Sequence, residues 1–315
     1  VIGMTVVAFG TSAPELLVSL NAALAGSPGL AVGNVVGSNI ANILLILGLA
    51  ALLRPIPVTG AAFRYDGAWM VTAALACVGL AMWPVIGHGA GLGLLLGLVV
   101  FLWLTLRRGE DLAALPDADA PPMPVWRASG LFFGGLALTL LGAVMLVSGA
   151  TGIARSFGVS EAVIGLTLVA LGTSLPELVT GVSAARKGVP DLSLGNIIGA
   201  NILNLFLIIG LSGTINPLTL DRFTQFYSYG WLALFFAAFI GLATTGRFHR
   251  RGGLLLLGLL VRRGGAGASA SVFFLMPPVT AVLAWVLLDE RLTGLAVLGL
   301  ALSTVGVAVA TRRRA

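Results

Sequence analysis

Two glutamates stand where a carboxylate is costly. Glu15 closes the stretch Gly10-Thr11-Ser12-Ala13-Pro14-Glu15 and Glu177 closes Gly172-Thr173-Ser174-Leu175-Pro176-Glu177, each in the middle of a long apolar run. A charged side chain at bilayer depth is expensive unless it meets a counter-charge, water or a bound ion, so such residues mark ion and proton pathways. Proline removes a backbone donor and glycine loosens the helix, so carbonyls one turn back are expected to be free. Free carbonyls, two hydroxyls and a carboxylate within about one helical turn make an all-oxygen cage. Oxygen cages suit hard cations such as Ca2+ and Na+.

Each motif is followed by a second polar segment, Gly33-Asn34-Val35-Val36-Gly37-Ser38-Asn39-Ile40-Ala41-Asn42 and Gly195-Asn196-Ile197-Ile198-Gly199-Ala200-Asn201-Ile202-Leu203-Asn204. Ser38 and Asn42 share a helix face, as do Ala200 and Asn204. One such motif alone could also be a kinked packing helix, with Ser and Thr satisfying their own backbone and Asn gluing helices together. The duplication decides for a cation site.

That duplication is an internal repeat. The run from Val1 matches the run from Val163 without a gap through two spans and their turn. Glu15 pairs with Glu177, Asn34 with Asn196, Asn42 with Asn204 and Pro55 with Pro217, all at an offset of 162 residues.

The elements that must hold these residues are membrane helices. The chain is 58% hydrophobic and only 10% charged, against about a quarter charged in soluble domains, which excludes a water-covered globule. Apolar runs at 1–25, 30–53, 66–84, 90–106, 129–154, 161–185, 191–213, 228–245, 252–261, 270–288 and 293–311 read as spans or part-spans. The polar, proline-containing stretch 107–127 reads as a linker between two halves. The net charge of +6 comes from arginines grouped in short loops. This is a topology signal and not a nucleic-acid footprint. Arg54, Arg64, Arg107, Arg108, Arg127, Arg186, Lys187, Arg247, Arg250 and Arg251 fall on one side if the spans alternate, and Arg155 and Arg222 on the other. The richer side is expected to be cytoplasmic. The first copy then enters from the cytoplasm and the second from outside, an inverted repeat of the kind that places a transport site at the midplane.

Cys77 is the single cysteine, so no disulfide framework or thiolate cluster can form. His88 and His249 are expected in loops as solvated or interfacial side chains. No nucleophile–base set or phosphate loop points to an enzyme, and no cofactor is implied.

The paired motifs resemble the two alpha-repeats of the calcium:cation antiporter superfamily, the sodium/calcium exchangers and their prokaryotic relatives, over about residues 1–261. The resemblance implies an all-α polytopic membrane protein in two inverted halves, exchanging Na+ against Ca2+ at a shared midplane site in a prokaryotic inner membrane. It implies that Glu15 and Glu177 ligate Ca2+ and alternately Na+. Thr11, Thr173, Ser12 and Ser174 would add oxygens, the carbonyls of Ala8 and Ala170 would complete the cage, and Asn42, Asn204 and Ser38 would close it. Two departures bear on the counter-ion. Ala200 stands where the family usually has Ser, and Asn204 where it often has Asp, so the choice between Na+ and H+ stays open.

The resemblance organises the chain as a first half over 1–106 (repeat 1–55), a linker over 107–128 and a second half over 129–261 (repeat 161–217). The second half has a helix, 129–154, ahead of its repeat, and the counterpart of that helix is missing before Val1. Residues 262–315 form a separate hairpin. Within it, 271–314 resemble the last two helices of EamA-type drug/metabolite transporters through Pro277-Pro278, the Trp285 span and the turn Asp289-Glu290-Arg291-Leu292. Two readings rival exchange with Na+: a cation/proton antiporter using the same glutamates, and a non-transporting truncated or chimeric fragment.

Overall fold

A computed structural model describes residues 7–58, 61–108 and 164–263, with isolated positions between 124 and 149. Residues 1–256 form one compact unit and 257–315 a second, described only as far as Arg263. The linker, most of the 129–154 span and the EamA-like hairpin lie outside the described residues.

Among the described residues, helices follow in chain order as α1 (Ala8–Thr11), α2 (Ala13–Leu24), α3 (Pro28–Leu53), α4 (Ala61–Leu80), α5 (His88–Arg107), α6 (Ala170–Thr173, preceded by a π-helical stretch Gly165–Val169), α7 (Leu175–Lys187), α8 (Pro190–Ile215), α9 (Phe223–Ala243) and α10 (Arg250–Arg263). Four short strands join them: β1 (Ile56–Pro57), β2 (Val85–Ile86), β3 (Leu218–Thr219) and β4 (Arg247–Phe248). Proline opens α3 and α8, where its missing N–H costs nothing. Gly26 and Gly188 turn the chain ahead of them at φ 72° and 81°, a region open to glycine. With 26 residues each, α3 and α8 are about 39 Å long, enough to cross a hydrocarbon core of about 30 Å.

The expected single span over 1–25 is two helices. Ser12 leaves helical geometry at φ −82°, ψ 4°, and α2 restarts with Pro14 in its first turn. Ser174 does the same at φ −83°, ψ 8°. Three further expectations are corrected. The piece at 252–261 is a full helix, Arg250–Arg263, because its arginines lie inside the helical ends. Helix α4 starts at Ala61, five residues ahead of the apolar run beginning at 66, and so takes in Arg64. His88 is the first residue of α5, exposed but with Nδ1 2.6 Å from the Thr214 carbonyl at the end of α8.

The strands reveal how the halves are related. Ile56 pairs with Phe248 and Pro57 with Arg247. Shifting both partners by the repeat offset gives the second ladder, Ile86 with Leu218 and Val85 with Thr219. Each ladder therefore joins one half to the other, and the two are related as by a two-fold axis. Strand β1 follows α3, whereas β2 lies one full helix further on, beyond α4. Since β3 follows α8 and pairs with β2, α3 and α8 end at opposite faces of the bundle. The halves are thus inverted, as the loop charges predict. Glycine contacts repeat the symmetry. A Cβ on Gly91 would lie 2.6 Å from the Gly210 carbonyl, and one on Gly253 would lie 2.6 Å from the Gly48 carbonyl. Helix α5 thereby meets α8, and α10 meets α3, at backbone distance.

Several of the grouped basic residues can be placed, whereas Arg155 lies outside the described residues. The β1–β4 ladder brings Arg247 beside the chain that follows Arg54, and the Arg54 guanidinium lies against Gly188, next to Arg186 and Lys187. Arg108 stacks on Tyr65 near the start of α4, at this same end, with 4.0 Å between guanidinium carbon and ring centroid. Arg222 follows β3 at the opposite end.

Candidate cation site

Both glutamates sit in the first turn of a helix that restarts inside the membrane, Glu15 in α2 and Glu177 in α7. The exposed N–H groups and partial positive charge of a helix start favour an anion at that position. Each carboxylate is fully buried. Each is also held by the other repeat: Ser12 Oγ donates to Glu177 Oε1 at 3.1 Å, and Ser174 Oγ to Glu15 Oε1 at 3.0 Å. The threonines cross over in the same way. Thr11 Oγ1 donates to Asn196 Oδ1 at 3.4 Å, and Thr173 Oγ1 to Asn34 Oδ1 at 3.1 Å. The crossed bonds knit α1–α2 to α7–α8 and α6–α7 to α2–α3 through the buried centre.

The carbonyls of Ala8 and Ala170 are beside the site but are not free. Ala8 O accepts from Ser12 N at 2.9 Å and Thr11 Oγ1 at 3.3 Å, and Ala170 O accepts from Ser174 N at 3.1 Å and Thr173 Oγ1 at 3.2 Å. These are ordinary helical bonds four residues back; the carbonyls that Pro14 and Pro176 leave without their helical donors are those of Gly10 and Gly172.

Ser38 breaks the symmetry. Its hydroxyl lies 3.4 Å from Glu15 Oε1, 3.3 Å from Ala170 O and 3.4 Å from Thr173 Oγ1. Ala200, its counterpart, brings no hydroxyl to the equivalent place. A second asymmetry sits behind Asn34, whose Nδ2 donates to Ser19 Oγ at 2.9 Å and to the Glu15 carbonyl at 3.3 Å. Gly181 stands where a second Ser19 would be, and Asn196 Nδ2 has no partner. Close packing explains the glycine, because a Cβ there would come within 2.8 Å of Ile46 Cγ2.

Asn42 Nδ2 donates to Asn201 Oδ1 at 3.5 Å, while both polar atoms of the Asn204 side chain are unpartnered. Glu15, Ser174, Ser38 and Thr173 thus join one hydrogen-bonded set with Asn34 and Ser19, Ser12 binds Glu177, Thr11 binds Asn196, and Asn42 binds Asn201 while the Asn204 side chain has no partner. Sequence reasoning left Asn34 and Asn196 out of the ligand set, although their shared register marked them. Only the crossing of the halves shows that they orient the threonines.

The electrostatic character of the centre follows from its leftover atoms. Glu15 Oε2, Glu177 Oε2, Asn39 Oδ1, Asn42 Oδ1 and Asn204 Oδ1 are buried acceptors with no donor. Buried acceptors require a donor or a cation. A group of oxygens carrying two carboxylates, with soft ligands absent from the cluster, fits a hard cation. A crevice with about 30 Å³ of free space, lined by Phe9, Ala13, Leu16, Leu203, Leu207 and Ile208, ends on Ser12.

Paired helices hinged around two buried carboxylates are an arrangement that secondary transporters built from inverted repeats use. The chain belongs to the sodium/calcium exchanger protein family, whose model matches residues 1–107 and 127–262. It is 39% identical over 252 residues to the inner membrane protein YrbG of Escherichia coli (74% of this chain, 75% of YrbG). It is 34% identical over 268 residues to the sodium/calcium exchanger MaX1 of Methanosarcina acetivorans (72% of this chain, 77% of MaX1). Among solved structures it is similar to the sodium-calcium exchanger NCX_Mj soaked with Na+ and Sr2+, at 32% identity and a TM-score of 0.68, over 82% of this chain and 84% of that one.

Proposed function

We propose that this protein is a secondary antiporter that exchanges Na+ against Ca2+ by alternating access, with Glu15 and Glu177 at the centre of the shared ion site. The observation that carries this reading is the pair of buried carboxylates, each bonded on one oxygen by the opposite repeat and unpartnered on the other. Two carboxylates in a low-dielectric core are unstable unless a cation or proton neutralises them. The empty site should therefore cross poorly, which makes exchange obligatory. Thr11, Thr173, Ser12, Ser174 and Ser38 supply neutral oxygens to the charged pair, and Asn42 and Asn204 supply carboxamide oxygens. The carbonyls of Ala8 and Ala170 serve through their remaining lone pairs. The basic end of the bundle faces the cytoplasm, and similarity to an inner membrane protein of a bacterium supports that membrane as the location.

Flux of isotopic Ca2+ into vesicles, with Na+ and pH gradients imposed separately, tests the reading. Uptake should follow an outward Na+ gradient. Uptake driven only by the pH gradient, in Na+-free medium, would replace Na+ by H+ as the counter-ion. One observation favours that second reading: Ala200 leaves the second half without the hydroxyl that Ser38 gives the first.

The asymmetry carries its own prediction. Ser38→Ala removes a hydroxyl placed among Glu15, Ala170 and Thr173, and apparent Na+ affinity should fall about five- to ten-fold, the worth of one or two hydrogen-bonding groups. Ala200→Ser should raise it. The Na+ dependence of Ca2+ release from loaded vesicles reads both, and equal affinity in all three proteins would contradict a ligand role for these positions.

A further inference from the structure

The cross-repeat bonds come in pairs. Ser12–Glu177 has its twin in Ser174–Glu15, Thr11–Asn196 in Thr173–Asn34, and the two strand ladders are twins of each other. Among the bonds that cross from one repeat to the other between residues present in both halves, one occurs only once. Asn42 Nδ2 donates to Asn201 Oδ1 at 3.5 Å. Its twin would run from Asn204 Nδ2 to Asn39 Oδ1. Both of those atoms are buried without a partner, and so is Asn204 Oδ1. The missing twin would thus join two atoms that are both unpartnered.

The surroundings make the missing bond attainable. All four asparagines are buried. Asn39 is held by its own helix, its Nδ2 donating to the Val35 carbonyl at 2.7 Å, which leaves its Oδ1 free to accept. Asn201 Nδ2 reaches only Met70 Sδ, at 3.8 Å. Asn42 and Asn204 each begin a π-helical stretch, Asn42–Leu47 and Asn204–Ile208. Local widening of this kind recurs at functional sites. A small backbone adjustment there re-aims the carboxamide without unwinding the helix.

We infer that Asn42–Asn201 and Asn204–Asn39 are alternating latches, one closed in each facing state, with Asn39 and Asn201 as positioning residues for exchange. The inference rests on the alternating-access reading above. Inverted halves that trade conformations between the two states must trade their asymmetric contacts as well. The bond made here is the one to be released in the opposite state, where Asn204 Nδ2 closes on Asn39 Oδ1. Because one neutral hydrogen bond replaces another of the same kind, the two states stay close in free energy. A carrier that must visit both needs that balance.

The test is the sidedness of apparent Ca2+ affinity, measured in right-side-out and inside-out vesicles. Asn201→Ala removes the latch closed here, and Asn39→Ala removes its twin. Each should shift the ratio of the two apparent affinities by about five-fold, the worth of one neutral hydrogen bond, in opposite directions. The double variant should return to the wild-type ratio. If an alanine variant does not fold, as judged by thermal melting, Asn39→Ser and Asn201→Ser carry the same expectation, because a serine cannot reach across to the partner carboxamide. Shifts of the same sign, or no shift in either variant, overturn the latch. Absence of Ca2+ flux in the unmodified protein overturns the exchange reading itself, and the latch with it.

Discussion

Glu15→Gln and Glu177→Gln should each reduce Na+-driven Ca2+ uptake by about 100-fold or more, since ligand charge count sets Ca2+ affinity over several orders of magnitude. Glutamine keeps the shape and one acceptor oxygen, so Ser174 or Ser12 retains its partner and the hinge is kept. What disappears is one of only two negative charges in the buried cluster. The remaining neutral oxygens cannot replace hydration of a divalent ion by themselves. Folding should survive, because removing an uncompensated buried charge relieves a desolvation cost. A purified Gln variant should therefore melt at or above the wild-type temperature while losing Ca2+-dependent stabilisation. Wild-type-like uptake in both variants would remove the glutamates from the ion site.

Gly37→Ala should unfold or disable the protein, although it adds one methyl group. A Cβ at Gly37 would lie 2.3 Å from the Leu166 carbonyl oxygen and 2.6 Å from Ala170 Cβ. Backbone at that distance cannot yield as a flexible side chain can. Overpacking a tight core costs about 1–3 kcal/mol and occasionally more. The position makes the functional loss larger than the stability loss. Pushing α3 away from this segment separates Ser38 from Ala170 O and Thr173, and the crossed hydrogen bonds lengthen with it. Gly79→Ala is the control, since nothing lies within 4 Å of a Cβ there. Gly79 is the next-to-last residue of α4, where the change should alter stability by less than about 1 kcal/mol. Equal melting temperatures and equal uptake for the two variants would show that the α3 contact is loose.

These two predictions draw on the sequence to different degrees. The glutamates were legible because a charge inside an apolar run is anomalous by itself, and because the anomaly recurs at a fixed offset. The inversion was legible from arginine placement, since loop charge is read relative to the membrane and needs no tertiary contact. The weight of Gly37 was not. Glycine is abundant in this chain, and only the approach of Leu166 and Ala170 from the other half separates Gly37 from Gly79. Likewise, the resemblance implied that the carbonyls of Ala8 and Ala170 complete the cage, and the structure shows each already accepting from the N–H of Ser12 or Ser174.

By itself, then, the sequence determined the class of protein, its two-fold plan and the residues that bear charge, because hydropathy, charge and register are properties of position along the chain. Only the tertiary structure decided that each glutamate is gripped by the opposite repeat, that Asn34 and Asn196 orient the threonines, and that one carboxamide bond is made while its twin is open. Those outcomes depend on contacts between residues far apart in the chain. Such pairings become definite only when α2–α3 and α7–α8 interlock.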